Sequence, residues 1–158
     1  MKKVILVIAL LLPILIFIFL RFFGKNEFSI PTYYENGVDN PPAGCHRNYD
    51  APYQVSDSLL LGIGWSKIPV LIVADSSVSV RSDLNRLDDE LTGRVQTIFL
   101  TGKDENLSAL YSCDLLLKDP WKIVLIDDQR RIRGYYETGT RQEMDRLAVE
   151  LKILLKQY

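Results

Sequence analysis

The sequence predicts an α/β domain with a mixed sheet in the order β-α-β-α-β-β-α, preceded by an N-terminal transmembrane helix. Three observations carry that expectation. Val4 to Leu20 is an uninterrupted apolar run of 17 residues. Beyond residue 60, apolar runs of strand length alternate with stretches whose leucines recur at helical spacing. Near the C-terminus two strand-like runs flank a charged five-residue turn, Asp127-Asp-Gln-Arg-Arg, and an amphipathic helix follows. At 158 residues, with 47% hydrophobic and 25% charged, the chain is long enough for one domain with a proper core. Its formal charge of −1 lacks the basic excess of nucleic-acid binders, so no such partner is expected.

About 20 residues at about 1.5 Å each cross the hydrocarbon of a bilayer. The first run reaches that length through Phe22 and Phe23 when Arg21 snorkels to the interface. A cleaved secretory signal is the competing reading, since Lys2 and Lys3 form a positive n-region. Against it, the run exceeds the usual h-region, and Arg21-Phe-Phe-Gly-Lys-Asn offers no small-x-small cleavage site. Pro13 is tolerable inside a span, because neighbouring groups re-satisfy the one lost backbone bond. The slight excess of positive charge before the run favours an inner-membrane, single-pass protein with its N-terminus inside. The expected organisation is an anchor over 1–23 holding the membrane through Val4–Phe23, a tether over 24–60, and a domain over 61–158 outside the cytoplasm.

The tether is rich in turn formers and aromatics and shows no helical period, which reads as ordered rather than as a flexible spacer. Pro69 to Ala74 is the first strand. Ser79 to Leu91 carries Leu84, Leu87 and Leu91 at three- and four-residue spacing, with Gly93 as a C-terminal cap. Val95 to Leu100 is a second buried strand, and Asp104 to Asp114 holds a short helix presenting Leu107, Leu110 and Tyr111. Ile123–Ile126 and Ile132–Tyr136 form a hairpin. In the final helix Thr140 and Glu143 make a capping box ahead of an apolar stripe of Met144, Leu147, Leu151 and Leu154.

Strand-helix-strand units give parallel neighbours and the closing hairpin adds antiparallel pairing, which is the order of a thioredoxin-type domain. Pro120, just before the third strand, stands where that fold keeps a proline. PVLIVAD followed by a leucine-periodic helix, and VLIDDQRRIRGYYETGTRQEMDRLAVELKILL, resemble the Sco/SenC family over most of residues 55 to 158. That resemblance implies a thioredoxin-like fold, a membrane anchor and a place in cytochrome c oxidase assembly as a copper chaperone. The family binds copper through C-x-x-x-C at the first strand-helix junction and a histidine near the third strand. Ungapped matching puts those positions near Val73, Ser77 and Asp119, and no Cys or His occurs between Ala51 and Tyr111. Serine hydroxyls are weak ligands beside thiolates and imidazole, so copper is expected to be absent. Thiol-disulfide exchange at that corner fails for want of a thiolate.

Cys45 and Cys113, 68 residues apart, are the only cysteines and form either a structural disulfide or two reduced thiols. With His46 they make a weak alternative metal site, short of the four ligands a structural site uses. Ser76, Ser77 and Ser79 lack a G-x-S-x-G context and a nearby base, so hydrolase chemistry is not expected. Asp75 and Ser79 read as helix-start residues, with Ser79 accepting from N–H groups near Asp83 or Leu84. Asp75 and Asp119 together read either as a hard-cation pair or as solvated loop carboxylates. Arg130, Arg131 and Arg133 read as a solvated hairpin. Trp65, Trp121, Tyr135 and Tyr136 suit either partner contact or the core. The expected function is non-catalytic binding or scaffolding beside a protein partner in the same membrane. The alternative is a thiol-redox or metal protein using Cys45, His46 and Cys113.

Overall fold

A computed structural model of the chain describes residues 11–19, 21, 28–91, 93–102 and 105–156. The elements in chain order are α1 (Asp57–Gly62), β1 (Val70–Val73), α2 (Val78–Leu91), β2 (Gln96–Phe99) and α3 (Glu105–Ala109). A π-helical turn (Leu110–Asp114), β3 (Ile123–Ile126), β4 (Ile132–Tyr136) and α4 (Arg141–Lys156) complete the order. The four strands form one sheet in the order β2-β1-β3-β4. β1 and β2 are parallel, as a strand-helix-strand unit requires, while β3 runs antiparallel to both β1 and β4. The fold is therefore mixed α/β, with the closing hairpin turn falling on Asp127 to Arg131 as expected.

β1 and β3 are apolar throughout because both faces of the sheet are covered. Leu71, Val73, Ile123, Leu125 and Tyr136 face one layer, where Leu84, Leu87 and Leu91 of α2 and Leu147, Leu151 and Leu154 of α4 pack. Val70, Ile72, Val124, Ile126 and Tyr135 face the other, against Tyr53, Val55, Leu60, Trp65, Leu110, Leu115 and Leu116. The helical stripes and the period-2 alternation in the strands thus meet in two layers of core around one sheet.

The segment expected as a tether contributes to this core. Ile30, Tyr53, Val55 and Leu60 are all buried. Tyr33 N–H donates to Ile132 O at 2.9 Å and Val55 N–H to Arg130 O at 3.0 Å, which ties the segment to the closing hairpin. The boundary placed at residue 60 therefore runs through a continuous core, and α1 forms where no helical period is legible. Two other expectations shift for the same reason, tertiary packing. Trp65, Tyr135 and Tyr136 are buried and unavailable as partner anchors, and Trp121 is half-buried with its ring stacked on Tyr135. Arg133 is buried and Arg131 half-buried, so the hairpin is not a solvated one.

Residues 11–19 are helical, with exposed apolar side chains. Among the described residues no helix is long and apolar enough to cross a membrane. The remainder of Val4–Phe23, apart from residue 21, lies outside the described residues.

Candidate functional site

The corner where β1 passes into α2 carries Asp75, Ser76 and Ser77. Val73 is the last residue of β1 and is wholly buried in the core with Leu71 and Leu84, so it presents nothing to a ligand. Ser77 is exposed, and its N–H donates to Asp75 Oδ1 at 2.8 Å. Thr138, in the loop between β4 and α4, donates its hydroxyl to Asp75 Oδ2 at 2.7 Å. Asp75 thus organises the start of α2, and Ser79, already inside the first turn, does not take the expected capping role. The Thr138 hydroxyl holds the Asp75 carboxyl below the usual carboxylate range, the Ser77 N–H adds to this, and the Lys122 charge contributes more weakly.

Asp119 does not join Asp75 in an open carboxylate pair. Its exposed carboxylate is ion-paired with Lys122, whose ammonium also acts on Asp75. The counter-charge a hard cation would supply is therefore already present as a lysine. The Asp119–Pro120 peptide bond is cis, as is Ala51–Pro52. Among the described residues no three His, Cys, Asp or Glu side chains cluster so as to hold a metal ion.

The second site is a clasp built around the two cysteines. Cys45 and Cys113 are joined in a disulfide with their Cα atoms 5.5 Å apart. Cys113 lies in the π-helical turn, whose wide i→i+5 closure is seen where Leu115 N–H donates to Leu110 O at 3.0 Å. The last carbonyls of a helix lack internal partners, and here three tyrosine hydroxyls supply them in succession. Tyr49 donates to Cys113 O at 2.9 Å, Tyr53 to Asp114 O at 2.6 Å and Tyr135 to Leu115 O at 2.8 Å. Arg47 grips the Asp114 carboxylate through two nitrogens at 2.8 and 3.0 Å.

Asp114 is 2% exposed, and burial pushes its carboxyl up while the Arg47 guanidinium opposes that shift. Burial likewise pushes the Tyr53 hydroxyl well above its usual range, with the Asp114 charge adding to it, so it remains a proton donor. His46, beside Cys45, is exposed. With both sulfurs in one bond neither is a thiolate, so Cys45, His46 and Cys113 hold no ligand set for a metal in the oxidised chain.

Sequence reasoning missed the partners more than the positions. Arg47–Asp114 and the tyrosine-carbonyl bonds join residues more than 60 apart except at Tyr135, and nothing periodic marks them. The one available signal was the density of tyrosines in the stretch before α1. Asp127 is a further case: wholly buried, it accepts from the N–H groups of Gln129 and Arg131, and its other oxygen pairs with Arg131 at 2.8 Å and Arg133 at 3.3 Å. That cluster folds the hairpin and serves no visible chemistry. No protein-family model and no curated protein matches this chain.

Proposed function

We propose that the protein is a non-catalytic, membrane-anchored, thioredoxin-like domain with a binding or scaffolding role near respiratory cytochrome oxidase assembly, a Sco/SenC-like chain whose copper and redox ligands have been replaced. One observation carries the reading. The three positions that the resemblance assigns to ligands hold a core valine, a solvent-facing serine and an aspartate paired with Lys122. The thioredoxin-like part rests on the element order, the mixed sheet and Pro120 in the turn that leads into β3. The anchor rests on the 17-residue apolar run and on the exposed apolar side chains of helical residues such as Leu12, Leu15 and Phe17. Such an all-round apolar helix belongs in a core or in lipid.

The test is cross-linking of the full chain in its native membranes, followed by identification of what it carries. The expected result is a cytochrome oxidase subunit or assembly intermediate. Recovery of the chain alone at expression levels close to native would overturn the reading. The clasp favours one second reading, thiol exchange, because Arg47, Tyr49 and Tyr53 hold the segment around Cys45 against the π-helical turn independently of the S–S bond. In that reading a partner dithiol attacks the disulfide, is itself oxidised, and leaves Cys45 and Cys113 reduced and still adjacent. It requires the cross-linked partner to be lost in Cys45→Ser while His46→Ala keeps it.

A further inference from the structure

The way the chain enters the domain fixes which side of it can meet a bilayer, an inference that rests on the anchor reading above. Ile30 is held firmly: its side chain is 6% exposed and its carbonyl accepts from Arg133 Nη2 at 2.6 Å. Three residues later Tyr33 N–H donates to Ile132 O. Residues 30–33 therefore run beside β4, an edge strand of the sheet. They occupy a position where an unpaired strand edge would otherwise be exposed.

Six residues, 24–29, separate the end of Val4–Phe23 from Ile30. Fully extended they reach about 20 Å, whereas a compact domain of this size is roughly 35 Å across. A leash shorter than the body it holds keeps the attachment edge turned towards the membrane. An aromatic cluster at and beside that edge suits the position. Tyr33 is 38% exposed. The Tyr33 ring meets the Tyr135 ring edge-on at 5.1 Å, and half-buried Trp121 stacks on the same ring at 5.3 Å. Tyrosine and tryptophan, apolar in body and polar at the tip, are the residues that settle at headgroup level.

We propose that the β4 edge rests on the lipid surface, with Tyr33 and Trp121 seated in the headgroup region. The domain is then a body held in one orientation, and its partner is reached along the membrane plane. The chain has two tryptophans, and Trp65, 6% exposed with its indole N–H donating to Ile68 O at 2.7 Å, serves as the internal reference.

The experiment places the full chain in nanodiscs made with phospholipids brominated high on the acyl chain, and compares its tryptophan emission with that of Trp121→Phe. The expected result is bromine quenching of the Trp121 component and little effect on the Trp65 emission left in the variant. Quenching of Trp65 equal to that of Trp121, or none of either in a chain retained by the nanodisc, would overturn the proposed orientation and leave the anchor standing. A chain that fails to stay with the nanodisc would overturn the anchor reading and this inference together.

Discussion

Two carboxylates of opposite tendency show what single residues contribute. Asp75 is held below its ordinary range, so its stabilising bonds exist above the unfolded pKa and are lost as pH falls through the lowered folded value. Replacing Asp75 with Ala removes the acceptor at the start of α2 and should cost about 1 kcal/mol. Chemical denaturation should also show that the variant has lost part of the wild-type's fall in stability in acid. Asp114 behaves in reverse: burial raises it, so folding favours the protonated form and its contribution falls as pH rises through the raised value. Arg47→Ala leaves that buried carboxylate unpaired and should cost about 2 kcal/mol at neutral pH, less in acid. In Asp114→Asn the pH dependence of the Arg47 effect should vanish. Asp75 was legible as a helix-start residue; its partner Thr138, 63 positions away, was not. Local capping rules see along the chain and not across the sheet.

At the scale of elements, periodicity was a sound guide wherever an element buries one face or two. The α4 stripe packs as its spacing implies, and Thr140 accepts from Glu143 N–H at 3.4 Å. Glu143 itself turns to Glu137 N–H and to Arg146, which makes the capping box one-sided. The region from 104 to 114 was readable as helical but not as an α-helix that widens into a π turn, because that change answers to Cys113, Asp114 and their distant tyrosines. β4 holds a constraint that only the structure discloses. The Tyr136 ring lies directly over Gly134, and a Cβ there would collide with it. That ring is fixed by its hydroxyl donating to Glu150 at 2.6 Å and by the Arg146 guanidinium 4.7 Å above it. Gly134→Ala should therefore cost about 1–3 kcal/mol through overpacking. Pairing it with Tyr136→Phe should recover little, since the ring remains; calorimetric melting of both variants checks this.

For the whole molecule, the disulfide and the buried strap make the stretch before α1 part of the folded unit. The bridge closes 68 residues of chain, and on the chain-entropy account its loss in Cys45→Ser with Cys113→Ser should cost about 4 kcal/mol. Denaturant titration of the wild type with and without reductant should show a loss of similar size. The sheet and the helices α2 and α4 could be read from one sequence, because each depends on local pattern. The extent of the domain could not, since Ile30, Tyr53 and Val55 are committed to the core by contacts with β4 and the hairpin that no window of sequence contains. The central proposal is that the β1–α2 corner is a thioredoxin-like one that serves structure and not metal chemistry. Its most direct test is Cu(I) titration of the oxidised full chain in detergent against a competing chelator. The account predicts that no copper is held while Cys45 and Cys113 remain joined. One equivalent retained by the oxidised chain would contradict it.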